Sequence, residues 1–180
     1  ALSMLIYLPL VIYILVVDQP PLGWAALAAI AVSSMLQLIY FRLLDQTGAT
    51  VVTPPVQLSD AFGFSINADL GWTGSRFVAV WQDERSGQFN IYGRLLTLDG
   101  VPDSPEVQLV PEGLFPDEAP VVAASSEGIG VAWGHGNAVS HFIQFQTFDF
   151  DLQPLSPVVE LTDGVTDAVY PSVVYNGGTY

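Results

Sequence analysis

An internal repeat constrains this chain more than any other feature of its sequence. Residues 39–44 read IYFRLL, and residues 91–96 read IYGRLL, 52 positions later. Trp81 and Trp133 are separated by the same distance, and a Val-(Gln/Glu)-Leu column recurs at residues 56–58, 107–109 and 159–161. A chain with such a period is built from similar packing units, each of which buries its apolar surface against its neighbours.

The pattern inside one unit predicts β-strands. Short runs of β-branched and aromatic residues occupy positions 77–81, 89–96 and 107–110, a pattern typical of strands. Segments 82–88, 97–100 and 176–178 separate such runs and are rich in Gly, Asp and Asn, which favour tight turns. Four short strands in about 50 residues predict an all-β fold of β-propeller-like repeats, each a four-stranded antiparallel blade.

The repeat also predicts the domain organisation. We expect an apolar N-terminal segment over residues 1–35 and a repeat region over 36–180, with units at about 36–58, 59–110, 111–161 and a partial unit at 162–180. Either the sequence is a fragment of a longer protein, or the partial unit is completed by strands from this chain's own N-terminal segment or from that of a neighbouring copy. If a neighbouring copy supplies the strands, head-to-tail pairing that does not close into a ring would build a filament.

The N-terminal apolar stretch allows two main interpretations. From Ala1 to Leu44 the only charges are Asp18 and Arg42, and residues 22–44 are long enough to cross a hydrocarbon core of about 30 Å as a helix. A transmembrane hairpin or anchor is therefore one hypothesis. Residues 39–44, however, are in register with the strand predicted at 91–96, which favours closing or exchanged β-strands. A signal-peptide remnant is a third interpretation.

Composition limits the classes of function. The chain has no Lys, four Arg and 18 Asp plus Glu, giving a formal charge of −14. Such a balance argues against a nucleic-acid partner. The absence of Cys excludes disulfides and thiolate metal sites.

The sequence contains few candidates for catalytic or metal-binding residues. His135 and His141 offer too few ligands for zinc, and no Gly-x-Ser-x-Gly nucleophile elbow occurs. Repeated acids in the loops before a unit's first strand are expected to cap turns, with Ca²⁺ binding as the alternative because hard oxygen ligands suit that ion. The Ca²⁺ candidates are Asp117, Glu118, Asp163 and Asp167. We expect no catalytic residue and no other cofactor.

The recurring aromatic and aliphatic positions predict a core shared between sheets. A carbohydrate-binding platform is the alternative interpretation of these aromatic residues. The expected core residues are Ile39, Tyr40, Phe77, Trp81, Ile91, Tyr92 and Trp133.

The amino-acid sequence of the repeat unit resembles that of a known family. Residues 171–180 (PSVVYNGGTY) and 80–87 (VWQDERSG) resemble the tandem blade repeats of large secreted bacterial surface proteins. The loop at 83–87 is also similar to the Asp-box turn of sialidase-like propellers, whose role is to brace a hairpin. The resemblance covers residues 36–180 and weakens in the third unit, where residues 134–137 (GHGN) replace the acidic turn. It implies an extracellular or cell-surface location.

These observations predict a non-enzymatic extracellular scaffold that assembles with itself or with neighbouring subunits by strand pairing, for example as a head-to-tail filament or in a surface layer. One alternative is a membrane-anchored accessory subunit of a larger complex, held through residues 1–44, with its β-repeats outside the cytoplasm. A second alternative is a glycan-binding or sialidase-like propeller.

Overall fold

The computed structural model describes residues 40–41, 55–137, 139–165 and 167–180. The regular elements of these residues are all β-strands, so the all-β class predicted from the sequence is confirmed. The strands are β1 Tyr40–Phe41, β2 Val56–Gln57, β3 Ser65–Trp72, β4 Phe77–Asp83, β5 Asn90–Leu96, β6 Val107–Gln108, β7 Asp117–Ala124, β8 Ile129–Asn137, β9 Ser140–Phe148 and β10 Val159–Glu160.

Eight of these strands form two four-stranded sheets of the same topology. The strand order is β3-β4-β5-β6 in one sheet and β7-β8-β9-β10 in the other, and all neighbours are antiparallel. Strands β1 and β2 form a separate antiparallel pair. Each four-stranded sheet is a meander, in which strands that follow one another in the chain are also neighbours in space.

The 52-residue period extends to the pairing of individual residues. Ser65 pairs with Asp83 in the first four-stranded sheet, and Asp117 pairs with His135 in the second. Both first strands then change register at the equivalent place. Three further equivalent pairs are Tyr40 with Gln57, Tyr92 with Gln108, and Gln144 with Glu160.

The turn after the third strand is also repeated. Gly100 has a φ of 74° and donates its N–H to the carbonyl of Thr97 at 2.9 Å. In the next sheet Leu152 has a φ of 60° and donates to Asp149 at 3.1 Å. Glycine adopts this left-handed conformation without strain, whereas leucine does not. The backbone turn therefore persists although its second copy lacks the favourable residue.

A shared core joins the two four-stranded sheets face to face. Val78, Val80 and Ile91 from the first sheet belong to one buried cluster with Val131 and Trp133 from the second. Strand β3 also comes close to β7, since a Cβ added at residue 71 would lie 3.2 Å from the Cβ of Ala124. Because neither sheet could bury this apolar surface alone, each stabilises the other.

A second core cluster lies on the opposite face of the first sheet. Trp81, Tyr92 and Leu96 are buried there together with Leu58, and Phe77 packs against them while partly buried. The predicted core residue Ile39 and the side chain of Tyr40 lie outside the part of the chain that the structure describes.

The N-terminal hypotheses fall largely on residues that the structure does not describe. Residues 1–39 and 42–54 are among these, whereas Tyr40–Phe41 form strand β1. Among the residues searched, those of the described ranges, no helix is long and apolar enough to cross a membrane.

Candidate functional site

A buried carboxylate stands at the end of strand β4. Asp83 is fully buried, and its Oδ2 accepts hydrogen bonds from Trp81 Nε1 at 3.3 Å, Ser65 Oγ at 2.8 Å and Arg85 Nη2 at 2.9 Å. Its Oδ1 accepts the backbone N–H of Arg85 at 2.9 Å. Asp83 thus braces the hairpin that follows it and fixes the indole beneath it.

Arg85 extends this polar cluster from the buried Asp83 toward the solvent. Its guanidinium also pairs with Glu106 and lies 4.0 Å from the ring centroid of Tyr92. Burial alone would raise the pKa of Asp83, but the hydrogen bonds from Arg85 and Ser65 outweigh it and lower that pKa to about 2. Burial alone would lower the pKa of Arg85, whereas its bonds to the two carboxylates raise it. Both groups therefore stay charged across the physiological range.

The second sheet places its buried carboxylate on a different strand. Asp117, the first residue of β7, accepts the indole N–H of Trp133 at 3.0 Å and is hydrogen-bonded to His135 Nδ1 at 2.7 Å. Burial raises the pKa of Asp117 despite the bonds from His135 and Trp133. The His135 ring packs near Phe115 and Phe142. A carboxylate that orients an imidazole is an arrangement used for proton transfer. The partly buried His135 is bonded in this way to Asp117 and is packed between aromatic rings.

The four Ca²⁺ candidates each contact different parts of the structure. Asp117 is bonded to His135 as described, and Asp167 accepts His141 Nδ1 at 2.7 Å. Asp163 accepts the backbone N–H two residues further on, and Glu118 lines a cavity of about 60 Å³. Within the described ranges, no group of three or more His, Cys, Asp or Glu residues is placed to hold a metal ion.

Arg94 and its counterpart Gln146 perform the same structural role. Arg94 Nε donates to the carbonyl of Ser104 at 2.8 Å, and Gln146 Nε2 donates to the equivalent carbonyl of Ser156 at 2.7 Å. Arg94 Nη1 also reaches the carbonyl of Leu58 at 3.0 Å. The second recurring arginine of the sequence, Arg42, lies outside the described residues.

One face of the β7–β10 sheet is incompletely covered, and we call it the open face. It borders a cavity of about 450 Å³. Residues of the open face that line the cavity are Ala132, Ile143, Phe145 and Leu161. Counting back 52 positions gives Val80, Ile91, Gly93 and Leu109. Of these, Val80, Ile91 and Leu109 belong to the core between the two sheets. The open face is therefore the repeat of a surface that is covered elsewhere in the same molecule.

The two copies of this surface differ in how far their side chains are exposed to solvent. Leu109 is 5% exposed, whereas its counterpart Leu161 is 57% exposed. Residues 171–174 and Tyr180 cover the open face in part. The Tyr180 ring lies so close to β8 that a Cβ added to Gly130 would be 2.6 Å from it. Ring packing of Tyr180 with Phe145, with centroids 5.7 Å apart, extends this partial cover.

Three equivalent backbone positions meet at another cleft. Asn67, Ala119 and Tyr170 have φ values of 52°, 48° and 56° and follow one another at 52 and 51 positions. They share a cleft of about 270 Å³ with their C-terminal neighbours. Asn67 and Ala119 also both donate to Gln82 Oε1, at 2.8 and 2.7 Å. Three successive units thus present the same irregular segment to one common space.

Sequence reasoning did not find the carboxylate–indole bonds or the open face. For the carboxylate–indole bonds, the available signal was the 52-residue spacing that makes Asp83 equivalent to His135. For the open face, the equivalent positions of Leu109 and Leu161 showed that both residues are apolar, but they did not show that only Leu161 is exposed. A comparison with protein-family models, curated proteins and solved structures finds no match for this chain.

Proposed function

We propose that this chain is a non-enzymatic structural protein whose β-repeats stack on one another and extend that stacking to a second copy of the chain. The open face is the observation that carries the proposal. Because it repeats the surface that the β7–β10 sheet covers on its neighbour, it offers the same apolar columns to another repeat unit. Apolar burial of this kind is the main driving force of association.

We further infer that the two four-stranded sheets are blades of a propeller-like repeat. Their identical topology, their face-to-face core and the cleft shared by Asn67, Ala119 and Tyr170 all support this arrangement. Such units either close into a ring or continue from copy to copy, depending on the rotation between neighbours.

We also propose an extracellular or cell-surface location. The acidic composition and the absence of Cys and Lys are compatible with a protein that works in an ionic medium without disulfides. A formal charge of −14 opposes the approach of identical copies. Assembly should therefore strengthen as salt screens this repulsion.

Sedimentation velocity of the full chain over a range of protein and salt concentrations tests the proposal. We expect the wild type to form larger species as either concentration rises. The double variant Leu161→Asp/Val174→Asp places two charges at exposed positions of the cavity lining and should remain monomeric. Since both side chains are exposed, the variant should keep its fold, which circular dichroism verifies.

Leu98→Asp is the matched control, because Leu98 is as exposed as Leu161 but lies in the turn after β5. It should assemble like the wild type. A wild type that stays monomeric at every salt concentration, or a double variant that assembles normally, would contradict the proposal.

A further inference from the structure

Three loops display the same acidic–apolar tripeptide. They read Asp60-Ala61-Phe62, Glu112-Gly113-Leu114 and Asp163-Gly164-Val165, with spacings of 52 and 51 residues. The first two precede strands β3 and β7, and the third follows β10 at the equivalent place in the repeat. The apolar residue of each tripeptide is almost fully in solvent: Phe62 is 89% exposed, Leu114 91% and Val165 83%. We call these segments the acidic–apolar loops.

The topology brings these loops to one end of the stacked sheets. In each sheet the start of the first strand pairs with the end of the second strand. The Glu84 N–H donates to the carbonyl of Phe64 at 3.0 Å, and the Gly136 N–H donates to that of Pro116. The turns after the third strands, which contain Leu98 and Leu155, lie at the opposite end because those strands run antiparallel to the second ones.

Two of the three loop backbones are held in place by a repeated hydrogen bond. Gln88 Nε2 donates to the carbonyl of Gly113 at 3.0 Å, and Ser140 Oγ donates to the carbonyl of Gly164 at 3.0 Å. The donors are 52 positions apart and the acceptors 51. Each bonded glycine immediately precedes an exposed apolar residue. A surface whose backbone is fixed before binding loses less conformational entropy when a partner arrives.

The exposed side chains do not belong to either core cluster. Single exposed apolar residues are ordinary, but a row of them at equivalent places marks an interaction surface. Its partner must supply apolar pockets, and the acid two residues before each apolar side chain calls for positive charge. The described arginines already have partners: Arg76 pairs with Asp103, and Arg85 pairs with Asp83 and Glu106. Arg94 bonds backbone carbonyls and also lies 3.9 Å from the carboxylates of Asp60 and Glu106. Among the described residues, Asp60 is therefore the one loop acid with an arginine within 4.0 Å.

We propose that the acidic–apolar loops form a docking row for a second protein whose surface carries apolar pockets flanked by Lys and Arg side chains. Each unit contributes one apolar contact and one carboxylate, so that a partner engaging several loops at once gains avidity from their fixed spacing. This row is separate from the open face, and the proposal does not depend on copy-to-copy stacking.

Binding of a labelled amphipathic leucine–lysine peptide to the full chain, followed by fluorescence anisotropy, tests the proposal. We expect the wild type to bind it and to reject a leucine–glutamate peptide of the same pattern. The variant Phe62→Ser/Leu114→Ser/Val165→Ser should lose affinity by at least about tenfold, since burial of one such side chain alone is worth roughly that factor. The variant Asp60→Asn/Glu112→Gln/Asp163→Asn should bind with a weaker dependence on salt.

The control removes similar apolar surface from the opposite end. Leu98→Ser/Val101→Ser/Leu155→Ser should bind the leucine–lysine peptide as the wild type does. Equal loss of binding in both serine variants would overturn the proposal, as would a wild type that does not bind this peptide. Binding of the protein to phosphatidylcholine vesicles is measured as a third test. Vesicle binding that depends on the Phe62, Leu114 and Val165 side chains, without peptide binding, would replace the protein partner with a membrane.

Discussion

Asp83 and Asp117 each accept a hydrogen bond from the buried tryptophan of their own sheet. They occupy opposite members of two equivalent cross-strand pairs. Asp83 is the second-strand residue paired with Ser65, and Asp117 is the first-strand residue paired with His135. Their carboxylates accept the indole N–H of Trp81 and Trp133 at 3.3 and 3.0 Å, respectively.

This exchange is possible because directly paired residues of an antiparallel sheet point to the same face. Either member of the pair can therefore supply the acceptor that a buried indole N–H requires. The two carboxylates differ in their remaining partners. Besides its indole, Asp83 is bonded to Arg85 and Ser65, whereas Asp117 is bonded to His135, and this difference gives the two carboxylates opposite pKa shifts.

Asp83→Asn should destabilise the protein most at neutral pH. The pKa of Asp83 is about 2 in the folded state, below its ordinary value of 3.8, so its stabilisation is fully present above about pH 4 and is lost as the pH falls through 2. The difference corresponds to about 2 kcal/mol, although Arg85 keeps its second carboxylate partner, Glu106. Urea unfolding followed by tryptophan fluorescence measures it. A loss as small as that of exposed Asp99→Asn would contradict this role.

Asp117→Asn should show the opposite dependence on pH. Because burial raises the pKa of Asp117 in the folded state, its ionisation weakens stability as the pH rises from 3.8 through the raised value. The neutral amide retains an acceptor for Trp133 and His135 without that penalty. We therefore expect the substitution to cost less unfolding free energy at pH 7 than at pH 4. Urea titrations at both values decide the sign, and a larger loss at pH 7 would show that the charge stabilises the fold.

Gly71→Ala should weaken the packing between the two four-stranded sheets. The added Cβ would lie 3.1 Å from Val78 Cγ1 and 3.2 Å from the Ala124 Cβ, and a backbone-anchored Cβ cannot rotate away. We expect a loss of about 1 kcal/mol from overpacking, measured by urea unfolding. Gly178→Ala is the control, since no atom lies within 4 Å of its added Cβ. Equal stability of the two variants would mean that β3 and β7 are less tightly opposed than described.

Ala119→Gly should stabilise the protein. Ala119 has a φ of 48°, a conformation that costs an L-residue roughly 1 kcal/mol and glycine almost nothing. Part of this gain is offset by the greater freedom of glycine in the unfolded chain, so the net gain should be about 0.5 kcal/mol. Ala123→Gly, in the same strand, should instead lose about 1 kcal/mol. Thermal unfolding of the two variants in parallel gives the comparison, and a loss in both would argue against relieved strain at Ala119.

Arg94→Gln should be tolerated better than Arg94→Ala. Gln146 shows that a glutamine in this column can donate to the carbonyl that Arg94 Nε reaches. The glutamine variant then loses the bond to Leu58 and the 3.9 Å ion pairs with Asp60 and Glu106, at a cost of about 1 kcal/mol. The alanine variant also loses the bond to Ser104 and costs about 2 kcal/mol. Chemical denaturation distinguishes the two. Equal losses would show that the charge of Arg94, and not its donor geometry, is what the site uses.

Several features of the fold were predictable from the sequence because they depend on local patterns. The strands around Trp81 and Tyr92 follow from alternating apolar residues, and the turn at Gly100 follows from the conformational freedom of glycine. The end of strand β4 was less predictable. The acidic segment at 82–88 suggested a turn, yet Gln82 and Asp83 still belong to the strand. The carboxylate of Asp83 is satisfied in the interior by hydrogen bonds from four residues, namely Ser59, Ser65, Trp81 and Arg85.

The sequence alone determined the 52-residue period, the all-β class and the acidic charge, since repetition, side-chain alternation and composition can be counted along one chain. Only the tertiary structure decided that Asp83 and Asp117 hold their indoles from different strands, and that Leu161 remains exposed where Leu109 is buried. Both outcomes depend on which surfaces meet across the sheets. The free energy of burying a leucine or a carboxylate is set by the groups placed against it, and these are distant in sequence.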